Sequence, residues 1–484
     1  MKVLYIAAEC KPYSKVGGVG DVAGELPMAL KAQGVDIEIV TPLYEPGYSF
    51  SFNGKDETAY ILREPQPRTF PVPVSFVRNP TYFGGRYGVP YVYSKKAPCY
   101  DDALRFSFFS EACLQLIKDK KPDIVHVNDW VLGFLFGRMA IERLPPKRVL
   151  TIHNIGYQGS LGVELIKGWS IEKILYDAEV GALFRDPRSE WNNINALRLA
   201  IELSHRINTV SPNYSKEITE ADNAARFFEG GKGLEKITRR LYEKGWLVGI
   251  LNGFEYKFEQ SDDEFDRILK RKAEMKRAIS VGFNNPDAFL LGFVGRAVEQ
   301  KFRLLTEEID GKMVLEHILA TPGINLAILA TGNPEYERIL NDLKADKNRK
   351  NCSITIEFDK QKADQISLGS DAFLMPSLFE PCGITQMDSL SNATPPLVRW
   401  TGGLVDTVRP HTDADGTGFG FDGSTRDEIL HNLINTIIEA RDFYTEKNKD
   451  FMGIQRRGFN ERFLWSTTAK EYIGKLYEPA LNEA

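Results

Sequence analysis

Residues 2–9 read Lys2-Val3-Leu4-Tyr5-Ile6-Ala7-Ala8-Glu9, with every position from 3 to 8 apolar or aromatic. A half-exposed strand alternates polar and apolar residues. A run that is apolar at both parities instead suits a strand buried on both faces, as in parallel sheets layered between helices. The run gives way to a glycine-bearing loop, Lys15-Val16-Gly17-Gly18-Val19-Gly20-Asp21-Val22, and then to helical periodicity over residues 21–33. Strand, glycine loop and helix in that order form the opening unit of a doubly wound α/β sheet.

The pattern recurs along most of the chain. Short β-branched runs at residues 37–41, 124–127, 149–153 and 207–210 alternate with helical stretches such as residues 102–119. A second series follows at residues 289–294, 324–330, 354–358, 372–375 and 396–399. Between the series lie Leu247-Val248-Gly249-Ile250-Leu251-Asn252-Gly253 and a polar, acidic stretch at residues 260–264. The expectation is two Rossmann-like domains, with a boundary near residue 246, facing each other across a central crevice. Residues 45–95 break the pattern with aromatic and Pro-rich pieces, including the run at residues 70–77. They read as a meander inserted into the first sheet.

Composition bounds the function. At roughly 150 residues per domain, 484 residues suggest about three domains, although large α/β domains make two equally natural. The 61 Lys and Arg against 66 Asp and Glu leave a net charge of −5, a poor balance for wrapping nucleic acid or coating anionic membrane. Phosphate recognition must then be local. The five Cys lack CxxC spacing and the six His lack HExxH spacing, so neither a disulfide scaffold nor a zinc ribbon is expected. No secretory leader and no run of about 18 apolar residues is read, which points to a soluble protein of a reducing compartment.

In open α/β sheets ligands bind at the carboxyl ends of the strands, so the loops there are the candidate site. In the first loop, Gly17 and Gly18 let the backbone approach a ligand, the helix N-terminus favours an anion, and Lys15 adds a point charge. The loop is neither GxGxxG nor a Walker A sequence. In Gly295-Arg296-Ala297-Val298-Glu299-Gln300-Lys301, two cations five residues apart bracket a strand-to-helix turn and suit a diphosphate without a metal. The bland alternative is a pair of solvated surface cations. In residues 376–386, Glu380 lies in a Pro- and Gly-rich turn, where a carboxylate stabilises developing positive charge or orients sugar hydroxyls. The amides after it, with Thr385, suit phosphate. Cys382 reads as a buried thiol rather than a nucleophile. Thr151-Ile152-His153-Asn154 and Tyr157-Gln158-Gly159 suggest a hydroxyl-binding surface. Thr401-Gly402-Gly403-Leu404 offers further amides. Asp413-Ala414-Asp415 reads as a surface turn rather than a metal site.

Taken together and in order, Lys15-Val16-Gly17-Gly18, Thr151-Ile152-His153-Asn154, residues 330–337, Phe379-Glu380-Pro381-Cys382-Gly383-Ile384-Thr385-Gln386 and Thr401-Gly402-Gly403-Leu404 resemble the bacterial glycogen synthase and plant starch synthase family. Arg105-Phe106-Ser107-Phe108-Phe109 adds to the match, which runs from residue 1 to about 475. The resemblance implies a GT-B fold with domains at 1–245 and 246–464, and residues 465–484 crossing back around Trp465. It implies transfer of glucose from ADP-glucose, sometimes UDP-glucose, to the 4-hydroxyl at the non-reducing end of an α-1,4-glucan, with retention and with no metal or other cofactor. Arg296 and Lys301 would neutralise the leaving diphosphate. Lys15, Gly17, Gly18, Thr385 and Gly403 would bind the nucleotide sugar, Glu380 would contact the glucose, and His153 would lie near its 6-hydroxyl. Glu9, Tyr100 and Asp129 would lie on the acceptor side. The implied partners are a nucleotide sugar and an α-glucan, with no nucleic acid or membrane. The implied location is the cytoplasm, or a plastid if a transit peptide was removed.

The chain departs from the family pattern at Asn128 and Val131, where His is common, and at Phe254-Glu255-Tyr256-Lys257-Phe258. It also departs at Phe302, where Gly is usual, and at Met387-Asp388-Ser389-Leu390-Ser391. These leave two alternatives open: a GT-B transferase using UDP-glucose or a small sugar acceptor, and a catalytically degenerate glucan-binding protein.

Overall fold

A computed structural model describes residues 1–44, 59–63, 70–92, 94, 99–163, 168–186, 188, 192–346 and 348–483. The chain forms two compact units. The first comprises Met1–Ala221, Gly230–Gly253 and Leu464–Ala484; the second comprises Asp222–Glu229 and Phe254–Phe463.

The strands of the first unit are β1 (Lys2–Ile6), β2 (Asp36–Pro42), β3 (Tyr60–Arg63), β4 (Val74–Arg78), β5 (Ile124–Asn128), β6 (Lys147–Ile152), β7 (Ser160–Gly162), β8 (Asn193–Asn195), β9 (Arg206–Thr209) and β10 (Leu247–Gly249). Eight of them form one sheet in the order β10-β9-β6-β5-β1-β2-β4-β3, and β7 pairs with β8 alone. The opening run explains the layering. Leu4, Ile6 and Ala8 enter one core with Phe106 and Phe109 of the helix Tyr100–Lys120. Val3, Tyr5 and Ala7 enter the other with Val22, Leu26 and Leu30 of the helix Gly18–Ala32. Each parity serves one face, so neither can be polar.

The second core also takes Ala469, Tyr472, Leu476, Tyr477 and Ala480 from the C-terminal segment. Residues 464–484 therefore belong to the first unit. Trp465 lies over Gly253, where an added Cβ would stand 2.5 Å from the indole.

The expected boundary near 246 shifts. β10 pairs in parallel with β9, Leu247 opposite Ile207, so residues 247–249 complete the first sheet and the first unit runs on to Gly253. Residues 222–229 lie with the second unit instead. The buried Arg399 guanidinium donates to the carbonyls of Arg226 (2.7 Å) and Phe227 (2.9 Å), and the Phe227 ring enters the second unit's core. The expected meander is also corrected. β4 runs parallel to β2 as a regular member of the sheet, and β3 alone is antiparallel. Phe70 and Val72 pack into the core ahead of β4. Residues 45–58, 64–69, 93 and 95–98 of that segment lie outside the described residues.

The second unit contains β11 (Phe289–Ala297), β12 (Glu308–Ile309), β13 (Lys312–Met313), β14 (Ile324–Gly332), β15 (Cys352–Thr355), β16 (Ala372–Met375), β17 (Pro396–Arg399) and β18 (Phe419–Phe421). Six form an all-parallel sheet in the order β15-β14-β11-β16-β17-β18, and β12 pairs with β13. β11 continues past the expected end at 294 because its pairing with β14 persists to Ala297 opposite Gly332. Arg296 therefore stands on the strand, and the helix Glu299–Thr306 begins only after it. At the sheet's other end Lys276 and Asp371 form a buried ion pair at 2.6 Å, and the same carboxylate oxygen takes the Leu290 amide at 2.7 Å. No described helix is long and apolar enough to cross a membrane.

Candidate active site

Strand order locates two clusters. In the first unit the chain leaves β1 for β2 on one side and returns to β5 on the other. In the second it leaves β11 for β14 and returns to β16. Such switch points open a crevice beyond the carboxyl ends of the strands, where no helix covers the sheet.

In the first unit that position gathers Glu9 after β1, Asp129 after β5 and His153 after β6. Glu9 is fully buried. Its Oε2 accepts the amides of Gly17 (3.2 Å) and Val16, and the Gly20 amide also turns to this carboxylate. Burial raises its pKa against the opposing pull of these amides. The Gly17 amide expected at a phosphate is therefore engaged by a carboxylate that caps the helix Gly18–Ala32, whose first residue is Gly18. Lys15 is likewise engaged, with Nζ 2.7 Å from Asp21 Oδ1.

Asp129 adopts φ 57° and ψ −175°, a region almost reserved for glycine. Its Oδ1 accepts the His153 amide at 2.7 Å and the Asn154 amide at 3.4 Å. Enclosure pushes its pKa up to about 7, with the nearby Glu9 charge adding to the rise and the two amides opposing it. The half-buried His153 ring places Nε2 2.9 Å from Asn128 Oδ1, and desolvation pushes its pKa down to about 4.

Tyr100 opens the helix Tyr100–Lys120, packed against the core. Tyr44 and Tyr91 were not singled out in the sequence. The Tyr44 hydroxyl donates to Ala8 O at 2.5 Å; the Tyr91 ring is part-exposed, and desolvation of its hydroxyl with the Glu9 and Asp129 charges raises its pKa.

In the second unit Lys301, Glu380 and Gly403 come together. Lys301 Nζ lies 2.5 Å from Glu380 Oε2, which also accepts the Ser377 hydroxyl at 3.1 Å. The Glu380 turn is held through its backbone as well. Gln300 donates to Phe379 O (2.9 Å), Arg399 to Leu378 O (2.9 Å), and the Gly403 amide to Glu380 O (2.9 Å). Gly403 therefore supports the carboxylate's turn, and its N–H is not aimed at a nucleotide sugar as expected. Thr385 begins the helix Thr385–Ser391 after Gly383, whose φ is +73°. The Arg296 side chain is exposed, and its guanidinium has no hydrogen bond or ion pair among the described residues.

The departures acquire physical roles. Val131 is core. Phe302 is fully buried, with ring centroids 5.4 Å from Phe293 and 5.5 Å from Tyr336. Asp388 accepts Ser367 Oγ at 2.9 Å and Lys257 Nζ at 3.4 Å. Asp415 of the Asp413-Ala414-Asp415 turn pairs with Arg409 at 2.8 Å.

Residues 2–240 match the family model "Starch synthase catalytic domain", and residues 281–452 match "Glycosyl transferases group 1". The chain is 33% identical to a glycogen synthase of Petrotoga mobilis, covering 100% of this chain and 99% of the relative. The chain belongs to the glycogen and starch synthase family. This family member is 33% identical to a glycogen synthase of Finegoldia magna as well, over 99% of both chains. The catalytic domain of starch synthase IV from Arabidopsis thaliana, bound to ADP and acarbose, superposes with a TM-score of 0.78 at 26% identity, covering 100% of this chain and 99% of that one. Sucrose-phosphate synthase from Thermosynechococcus elongatus, at TM-score 0.60 and 16% identity over 99% and 98% of the two chains, shares the fold. This synthase-family chain is a glucosyltransferase, a retaining hexosyltransferase of the GT-B fold with two Rossmann-like domains.

Proposed function

We propose that the enzyme transfers glucose from ADP-glucose to the 4-hydroxyl at the non-reducing end of an α-1,4-glucan. The observation that carries this reading is in the second unit: an ammonium on a buried carboxylate, five residues after an exposed guanidinium that has no partner among the described residues, at a switch point. The leaving group is a diphosphate, and Arg296 and Lys301 supply two positive charges to receive it. Glu380 then faces the sugar, where an oxocarbenium-like transition state gains positive charge. The bond from the anomeric carbon to the diphosphate breaks. The bond to the acceptor oxygen forms on the same face, and the acceptor's proton passes to the departing phosphate. This charge balance needs no metal or other cofactor.

His153 and Asp129 supply hydroxyl-binding groups in the first unit, with Glu9 and Tyr100 toward the acceptor. Thr385 assists at the phosphates, Lys15 joins it by exchanging Asp21 for the anion, and Gly17 and Gly18 leave room for the ligand beside a loop whose Gly17 amide stays on Glu9. The Arabidopsis starch synthase IV structure, bound to ADP and acarbose, supports adenine over uracil and a glucan over a small sugar. The same reading puts the enzyme in the cytoplasm.

The test is transfer of labelled glucose from ADP-glucose or UDP-glucose to glycogen, maltooligosaccharides and monosaccharides. Polymer-dependent incorporation from ADP-glucose is the expected result. Transfer from UDP-glucose alone, or to monosaccharides alone, overturns it. Glucan binding without any transfer identifies a degenerate binding protein.

A further inference from the structure

Asn128 stands where the family commonly has His, and its side chain is almost completely buried. Its Nδ2 donates to Ile6 O at 3.0 Å. A backbone carbonyl only accepts, so this contact fixes which end of the amide is nitrogen. The other end, Oδ1, lies 2.9 Å from His153 Nε2 and 3.0 Å from Tyr5 OH. An amide oxygen only accepts, so both partners donate to it. His153 Nε2 therefore carries the ring's proton, and Nδ1 carries a lone pair with no partner among the described residues. Asp129, the next residue, holds the His153 main-chain N–H at 2.7 Å. Two consecutive residues thus fix both the backbone and the ring of one histidine.

We propose that Asn128 is a positioning residue that locks His153 in the Nε2–H tautomer and presents Nδ1 as an acceptor for a sugar hydroxyl. The second clause rests on the proposed transfer reaction; the first rests on hydrogen-bond geometry alone. A sugar hydroxyl bound this way donates to Nδ1, and the imidazole orients it without exchanging a proton. The titratable groups tied to this histidine are Tyr5 of β1, which shares Asn128 Oδ1 with the ring, His126 of β5, and Asp129 after β5, which holds the main-chain N–H and itself feels the Glu9 charge. With Nε2 already donating to Asn128, none of them is needed to set the tautomer. Asn128 thereby converts the family departure into a rule about which nitrogen faces substrate.

The experiment is nitrogen NMR of the full-length enzyme labelled at histidine, with the His153 signals assigned by their loss in His153→Gln. Near neutral pH and without donor, the wild type is expected to show a protonated Nε2 and a bare Nδ1. Asn128→Leu removes the acceptor, and its His153 is expected to populate both tautomers. Asn128→Asp keeps an acceptor oxygen and restores Nε2–H. Tyr5→Phe leaves the Ile6 contact in place and keeps the wild-type pattern. In transfer assays Asn128→Leu lowers kcat about 5- to 10-fold, the worth of one hydrogen bond, with a smaller change in KM. A wild-type His153 protonated at Nδ1 overturns the proposal, as does an Asn128→Leu spectrum identical to wild type. Failure of the wild type to transfer glucose counts against the proposed reaction only, because the tautomer is read without donor.

Discussion

The Nζ of Lys301 sits 2.5 Å from Oε2 of Glu380, and the carboxylate is buried. Arg296, five residues before Lys301, is exposed and unpaired among the described residues. The two cations assigned to one leaving group therefore differ in what they do for the resting fold.

Their alanine variants separate accordingly. Arg296→Ala keeps its thermal midpoint, with a stability change within about 0.5 kcal/mol. Lys301→Ala leaves a buried carboxylate short of its countercharge and costs about 1–3 kcal/mol. Both lower kcat by about 100-fold or more, since each removes charge stabilisation from the transition state. Calorimetry and transfer kinetics on the same preparations check this. Wild-type turnover in either variant removes that residue from the clamp.

Gly402 carries the second prediction. Its φ is +50°, and an added Cβ would stand 1.9 Å from Glu380 O. Gly402→Ala must displace the Glu380 turn, so activity and stability fall together, the latter by about 2–4 kcal/mol. Gly311 is the control: its φ is +76° but no atom of the described residues lies within 4 Å of an added Cβ. Gly311→Ala should cost only about 1 kcal/mol of backbone strain and leave transfer unchanged. Equal losses in the two variants would mean that contact with the Glu380 turn is unimportant.

The architecture was legible because runs such as residues 3–8 are apolar at both parities, which parallel burial demands. The clustering of Lys301 with Glu380 was legible because both follow strands that flank a switch point. The engagement of Gly17 by Glu9 and of Gly403 by Glu380 was not, since a glycine's sequence position does not reveal where its amide points. The role of Asn128 was also missed. Its signal lay in polar residues inside otherwise apolar strands: His126, Asn128, Thr151 and Asn208. His126, Thr151 and Asn208 form a buried hydrogen-bonded layer whose partners Tyr472 and Tyr477 come from some 250–350 residues later.

That layer yields the third prediction. Asn208 Nδ2 donates to Thr209 O (3.3 Å) and to Tyr472 OH (2.9 Å), which leaves Asn208 Oδ1 to accept the Thr151 hydroxyl (2.7 Å). With its one proton used, Thr151 accepts from His126 Nε2 at 2.8 Å. His126 Nδ1 is then the acceptor for Tyr477 OH at 2.7 Å. Tyr477→Phe removes that donor without changing shape and strands a buried ring nitrogen, costing about 1–3 kcal/mol. Denaturant titration reads the loss. A change below about 0.3 kcal/mol would show that the tail is held by its apolar contacts alone.

Asp129 provides a pH test. Its folded pKa, about 7, stands above the ordinary value of 3.8, so the folded protein binds this proton more tightly than the unfolded chain does. Its contribution to stability is complete below about pH 3.8 and is lost as pH rises through about 7. Asn in its place keeps an acceptor oxygen for the His153 amide, tolerates positive φ better than most residues and does not titrate. The midpoint of Asp129→Asn minus that of wild type should therefore increase from pH 5 to pH 8 and level off above. All other titrating groups are common to both proteins, so their contributions cancel in the difference to first order. A difference that stays flat across this range would show that Asp129 is ionised throughout and that its enclosure carries no electrostatic cost.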